Sequence, residues 1–310
     1  HQDDGYGNIN LSYGSINING AIDAHGGNAA SPVHGGSGSY TGQGGSGGMV
    51  VLGTTAGLTV GGNINTSGGN GAEGAPFVEP YGSVGQGSQG GDGGGIHIFG
   101  DAGVTLLGNV ISNGGIGGKG GAGDANNQGG WGGSGGRSGD ISLGRWDIYS
   151  FFTQQQADLT VYGIVAANAG SSGAGGNFRG QGGYYSEIGN VTIYGGTIQV
   201  GNVSAVGSHG GDGAVADGNG FVGNGGYGGR GGTVWIAGNG NVSTGNIAVY
   251  GGMGGAYGGD VNSPLGASGG NGGTITLKGE QIETATLNSR GGLDRNSRLY
   301  GGAEHGYIDI

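Results

Sequence analysis

Polarity along this chain changes in short bursts. Ile9–Leu11, Val50–Leu52, Ile96–Ile98, Ile141–Leu143, Val191–Ile193, Val234–Ile236 and Ile275–Leu277 each set two aliphatic side chains on either side of a residue that need not be apolar. Alternation over so few residues, rich in β-branched side chains, is the pattern of a half-buried strand. A second burst follows after a turn, as in "LTV" (58–60), "VTLL" (104–107), "LTVY" (159–162) and "TIQV" (197–200). A third begins in "GAIDAHGG" (20–27), "GNINTSGG" (62–69), "GNVISNGG" (108–115) and "GNIAVYGG" (245–252), with looser copies in "GIVAANAG" (163–170), "GNVSAVGSHGG" (201–211) and "ATLNSRGG" (285–292). Helical periodicity is absent throughout.

The bursts recur about every 40–48 residues, and a fixed period of that size is the mark of a repeat architecture. The expected fold is an all-β solenoid of about seven coils without α-helix, in one domain spanning residues 1–310, with coils near 6–48, 49–95, 96–139, 140–189, 190–232, 233–273 and 274–310. Each strand is too short to stand alone, and stacking of coils would bury its apolar side. Ile22, Ile64, Val110, Ile164, Val203, Ile247 and Leu287 share a repeat position and are expected to form one inward column. Asn63, Asn109, Asn202 and Asn246 also share one, which predicts an axial amide ladder.

Between the bursts lie glycine runs with a period of three. "NGGIGGKGGAGD" carries Asn113, Ile116, Lys119 and Ala122, "GGWGGSGGRSG" carries Trp131, Ser134 and Arg137, and "GNGGYGGRGG" carries Asn224, Tyr227 and Arg230. A polyproline-II-type helix has three residues per turn and no internal hydrogen bonds. Gly-Gly-X in that conformation puts every X on one edge and leaves two bare edges. Neighbouring helices can then approach closely enough to satisfy each other's backbone groups. The run leaving near residue 113, the turn "ANNQ" and the run returning from residue 129 predict an out-and-back glycine hairpin in each coil.

Composition would otherwise argue for disorder, since 93 of 310 residues are Gly. Only 4 are Pro, which with the mixed spacing excludes collagen. A net charge of −11 disfavours nucleic acid and anionic membranes as partners, and no apolar run reaches the length of a membrane span. Without Cys there is no disulfide framework. A start at His1 rather than Met is the pattern expected of a secreted chain whose export signal has been removed, and the expected location is extracellular or at the cell surface.

Candidate chemistry is sparse. The glycine runs lack the strand–helix context of a phosphate loop. "GGDGAVADG" and "GGDGGGIHI" approach calcium nonapeptides but hold Val215 and Gly95 where Asp is needed, so occasional Ca2+ is the only cofactor they suggest. His1 is a terminal imidazole, and a copper brace would need a second His beside it. His25 and His209 occupy similar positions of a polar rim. Asn10, Asn65, Asn190, Asn202 and Asn241 stand in glycosylation sequons. No set of residues has the spacing of a catalytic triad, and the expectation is a non-enzyme. Exposed aromatics mark contact sites, which makes Trp146, Tyr149, Phe151 and Phe152, in the stretch that interrupts the repeat, and Tyr184 and Tyr185 possible adhesive tips.

The Gly-Gly-X runs at 113–123, 129–137 and 223–232 resemble the polyglycine-II lattices of phage tail-fibre adhesins and springtail antifreeze proteins. Their alternation with "GGxIxI" strands is more similar to glycine-rich bacterial surface and matrix β-solenoids. The resemblance implies a structural or adhesive role and no catalytic residue. Strand sequence at both ends, around Ile9, Asn10 and Leu11 and in Tyr307, Ile308, Asp309 and Ile310, predicts a subunit interface. Uncapped solenoid ends expose unpaired strand edges, and head-to-tail contacts that do not close generate filaments. The expectation is a homopolymeric extracellular fibre or matrix. The alternative is an adhesin whose loops bind surface glycans or an outer-membrane protein.

Overall fold

The structure, a computed structural model, describes residues 8–30, 42–77, 84–124, 127–144, 157–214, 222–258, 267–293 and 303–310. Each coil contributes three strands in chain order. The first has β1 (Ile9–Tyr13), β2 (Ile16–Ile18) and β3 (Ile22–Asp23); the second, β4 (Val50–Thr54), β5 (Leu58–Val60) and β6 (Ile64–Asn65). The third has β7 (Ile96–Gly100), β8 (Val104–Leu106) and β9 (Val110–Ile111); the fourth, β10 (Ile141–Leu143), β11 (Leu159–Val161) and β12 (Val165–Ala166). β13 (Val191–Gly195), β14 (Ile198–Val200) and β15 (Val203–Ser204) make the fifth coil, and β16 (Thr233–Gly238), β17 (Val242–Thr244) and β18 (Ile247–Ala248) the sixth. β19 (Thr274–Lys278), β20 (Ile282–Thr284) and β21 (Leu287–Asn288) make the seventh, and β22 (Tyr307–Asp309) adds one more strand.

Corresponding strands pair in parallel, giving three sheets of eight, seven and seven strands, with no helix among the described residues. In the first sheet Val50, Ile96, Ile141, Val191, Val234 and Ile275 sit in one register, and all are buried. Aliphatic side chains from all three sheets meet in a single core. Where the glycine leg departs, hydrogen bonds align the small residues Ala24, Thr66, Ser112, Ala167, Ala205, Val249 and Ser289, which leaves room for the backbone of the leg to pass.

The inward column departs from expectation in the fourth coil. Val165, not Ile164, pairs with Val110 and Val203. Val165 is 0% exposed and Ile164 40%. Ile164 occupies the slot that holds Asn in neighbouring coils, and its N–H donates to Asn109 Oδ1 at 3.0 Å. Leu287, in the last full coil, is half-buried because one side of its sheet has no further strand.

The Asn column is a ladder, but not one of amide on amide. Each Oδ1 accepts the backbone N–H of the next coil: Asn63 from Asn109 at 2.8 Å and Asn202 from Asn246 at 2.8 Å. The same device runs through the glycine legs, from Asn28 to Asn70 and from Asn70 to Ile116, and from Asn113 to Asn168 and from Asn168 to Val206. It supplies an acceptor to X-residue N–H groups along the edge, a role that His209 Nδ1 plays for Met253 and Asp212 Oδ1 for Ala256. Asn109→Ala is therefore expected to leave the Ile164 N–H without a partner and to cost about 1 kcal/mol, read as a lowered denaturation midpoint.

The legs bond with a three-residue period. In the outgoing leg of the second coil, Gly68 N–H donates to Asn113 O in the next outgoing leg and Gly69 N–H to Gly45 O in the preceding returning leg. Asn70 N–H goes to Asn28 Oδ1. In the returning leg, Gly87 N–H donates forward to Trp131 O and Ser88 N–H across to Ala72 O. The second coil's legs thus bond both along the stacking axis and across to the other layer of legs, as a polyglycine-II lattice requires, whereas a β-strand bonds only within the plane of its sheet. Where Ser stands at a lattice position its hydroxyl is used: Ser112 Oγ donates to Gly94 O at 2.5 Å and Ser138 Oγ accepts Gly189 N–H at 2.7 Å.

Candidate functional site

Three surfaces of this solenoid carry the candidate residues or a cleft. The first is the outer face of the returning legs. Forward hydrogen bonds fix which X residues share a column: Gly87 to Trp131, Gly132 to Gln181 and Gly182 to Asn224 align Gln86, Trp131, Gln181 and Asn224. One turn further along the legs stand Gln89, Ser134, Tyr184, Tyr227 and Ser268, and one turn beyond these Asp92, Arg137, Glu187, Arg230, Asn271 and Glu304. Trp131, Tyr184, Tyr185 and Tyr227 are each about half exposed. Arg137 and Glu187, in adjacent coils of the last column, form an ion pair at 2.5 Å. The sequence points to Tyr184 and Tyr185 as hairpin tips. Both lie within the returning leg rather than at its turn, and Tyr184 holds the place of Ser134 in the coil before and Tyr227 in the coil after. Trp146, Tyr149, Phe151 and Phe152 lie outside the described residues.

The second surface is the pair of end faces. β1 and β22 both belong to the first sheet, at opposite edges. Register places Ile9 over Val50 and Leu11 over Leu52, facing the core, and places Ile308 over Ile275. Asn10 and Asp309 share the outward position of their strands. "INL" and "IDI" are thus the same inward–outward–inward pattern on two strands of one sheet. Tyr307, Ile308, Asp309 and Ile310 are all exposed.

The third is a cleft of about 640 Å3 on the outer side of the first sheet, lined by Tyr13, His97, Phe99, Asp101 and Ser142 among others. His97 and Ser142 are cross-strand neighbours. The Phe99 ring lies over Gly53, where a Cβ would come within 2.6 Å of it. Gly144, at the rim, has a φ of +81°, which ends β10 after three residues.

Searches against protein-family models, curated proteins and solved structures find no match.

The remaining candidates have structural employment. Asp92 and Asp212, the first acidic residue of each calcium-like motif, accept lattice N–H groups of Arg137 and Ala256, each at 2.8 Å, and Asp217 lies outside the described residues. No group of three or more His, Cys, Asp or Glu able to hold a metal occurs among the described residues. His1 and Val215 are outside them. His25 and His209 are not equivalent. Hydrogen bonds align His25 with Ser67, Asn113 and Tyr250, whereas His209 aligns with Ile116, Ser171 and Met253, one polyglycine turn along. His25 Nδ1 pairs with Asp23 Oδ1 at 2.7 Å, and that hydrogen bond holds the Asp23 carboxyl below its ordinary range. Both side chains are exposed, so the pair contributes little. Among the sequons, Asn190 and Asn202 use Oδ1 to accept N–H groups of Thr233 and Asn246. No helix among the described residues is long and apolar enough to cross a membrane.

Proposed function

We propose that this protein is a non-catalytic structural subunit that stacks head to tail with its own kind into an extracellular fibre or matrix. The observation carrying this reading is that, among the described residues, nothing covers the end face of the first coil at two glycines. Gly69, Gly115, Gly252 and Gly292 are each pressed against the backbone of the coil beneath, where a Cβ would overlap carbonyl atoms. Gly27 is their counterpart in the first coil, and a Cβ there would meet nothing within 4 Å. Gly20 repeats the pattern at the corner, where Gly62, Gly108 and Gly163 are packed and Gly20 is open. Neither residue has the left-handed φ that would itself favour glycine. Their identity makes sense if another coil packs beneath them.

Strand number shapes the junction. Blunt docking of β22 on Ile9–Leu11 of the next copy would leave the second and third sheets one strand short there, because only the first has eight. A continuous stack forms if β22 takes the place of β1 on Val50–Leu52 of the next copy, which the shared inward pattern permits. Coils then repeat every seven rungs, or about 34 Å along the axis, against about 38 Å for blunt docking.

The adhesin reading has weaker support, since Tyr184 and Tyr185 lie within the returning leg rather than at its turn. The resemblance to glycine-rich surface and matrix proteins agrees with either role.

Negative-stain imaging and sedimentation test the proposal. Wild-type protein is expected to form fibres with a 34 Å axial repeat. Gly27→Ala should abolish them without lowering the melting midpoint, and Ile308→Asp should do the same. Ile9→Pro, which removes a ladder donor, should leave assembly intact under strand replacement and block it under blunt docking. Intact protein that stays monomeric at high concentration, or a Gly27→Ala variant that assembles normally, would overturn the reading.

A further inference from the structure

We infer that the outer face of the returning legs is a binding platform for an uncharged, extended polysaccharide, with Trp131, Tyr184 and Tyr227 as its stacking residues. The inference does not depend on fibre formation. It starts from what the lattice demands and what it leaves free. Packing requires Gly, or at some sites Ala or Ser, at two of every three leg positions and asks nothing of the third except that it point away. Gln86, Gln89, Gln181, Asn224 and Ser268 show that small or amide side chains serve there. Aromatic rings that are half exposed serve no packing need, yet Trp131 is 47%, Tyr184 48% and Tyr227 52% exposed, all at X positions of this face in three consecutive coils.

Their spacing is set by the backbone. Successive X residues on one leg are about 9 Å apart, three residues of a polyproline-II helix, and successive coils are about 4.8 Å apart. Trp131 and Tyr184 differ by one step in each direction, which places their Cα atoms about 10 Å apart on a diagonal. One more diagonal step leads to Arg230, a planar cation able to stack or to donate hydrogen bonds. A disaccharide of an extended β-linked hexose chain spans such a step, with the C–H face of alternate rings over an aromatic. Ser134, Gln181 and Asn224 lie between and beside the rings and offer hydroxyl and amide groups to sugar hydroxyls.

Charge narrows the ligand further. Among the described residues the two columns that carry the rings contain no ionisable acid or base besides the tyrosines, and the adjoining column pairs Arg137 with Glu187. On a chain with net charge −11, a polyanion would be repelled and this patch gives a polycation no focus. A neutral polymer rich in hydroxyls fits what remains.

Retention on insoluble cellulose and chitin, with affinity electrophoresis in a soluble β-glucan, tests the inference. Wild type should be retained on at least one. The triple variant Trp131→Ser, Tyr184→Ser, Tyr227→Ser should bind at least about tenfold more weakly with an unchanged melting midpoint, and Tyr13→Ser, on a different face, should bind as wild type. Running the same assay on the Gly27→Ala chain separates this proposal from the fibre reading, since binding by unassembled protein is expected to persist. Failure of the wild type to bind any of these polymers overturns it, as does a triple variant that binds undiminished. Loss of lateral bundling in the triple variant, without any polysaccharide binding, would assign the face to contacts between copies and overturn it equally.

Discussion

Gly226→Ala is expected to destabilise the protein by about 1–3 kcal/mol through overpacking, while Gly57→Ala, the same chemical change, is expected to be neutral or slightly stabilising. A Cβ on Gly226 would overlap the carbonyl group of Gly183 in the adjacent returning leg. That carbonyl belongs to a backbone already bonded through its own N–H to Gly173, so it has little freedom to yield. Gly225 and Gly228 are enclosed in the same way, by Gly255 and Gly252. Gly229 should be milder, because its nearest neighbour is the Ser208 hydroxyl, which can rotate. Gly57, between β4 and β5, has nothing within 4 Å and no left-handed φ. Alanine there removes backbone freedom from the unfolded chain, worth about 0.4–1 kcal/mol in favour of folding. Tyr227→Ala, at an X position beside Gly226, should leave the midpoint unchanged. Thermal unfolding of the four variants provides the comparison. Equal effects at Gly226 and Gly57 would show that the glycine runs are not packed backbone to backbone.

Much of this arrangement is legible in the sequence because each half of the coil has a period of its own. Aliphatic residues two apart mark the strands, and all seven bursts read from Ile9–Leu11 to Ile275–Leu277 lie in strands of the first sheet. The three-residue spacing of Asn224, Tyr227 and Arg230 marks the legs, and hydrogen bonds place such residues in separate axial columns. What the sequence conceals is any feature that depends on two coils at once. The Asn63 and Asn109 column is visible as a repeat, but that Oδ1 of one reaches the N–H of the other follows only from the direction in which that N–H points. Asp92 and Asp212 resemble calcium ligands because a linear motif does not reveal the neighbouring leg whose N–H they accept. Tyr184 reads as a hairpin tip for a related reason. In "GGYYSEIG" the glycine phase is broken by Tyr185 and Ser186, and only alignment with "GGSGGRSG" across the coil returns Tyr184 to the leg. The platform of Trp131, Tyr184 and Tyr227 is invisible for the same reason: its members lie in three coils and meet only after stacking.

The fourth coil allows the sharpest test of register. "GIVAANAG" offers two β-branched residues side by side; taking the first of them selects Ile164 for the core, although counting from Gly163 as from Gly62 and Gly108 would put Val165 beside Ile64 and Val110. The pairing selects Val165, and a shift of one residue exchanges inside for outside. Val165→Asp should therefore prevent stable folding. It would put a carboxyl group among Val110, Val203 and the rest of the aliphatic column with no partner in the core, and an unpaired buried charge costs several kcal/mol even after the group neutralises. Because each coil relies on its neighbours, the damage should spread to the third and fifth coils and broaden the transition. Ile164→Asp should change stability by no more than about 0.5 kcal/mol, as is usual for an exposed site. Its sign should be favourable if the new carboxylate takes up the role of the missing Asn and accepts the N–H of Asn202, the residue that follows it in the column. Circular dichroism melts of the two single variants decide the matter. A folded Val165→Asp protein beside an unfolded Ile164→Asp protein would move the inward column back to Ile164 and shift the fourth coil by one residue against its neighbours.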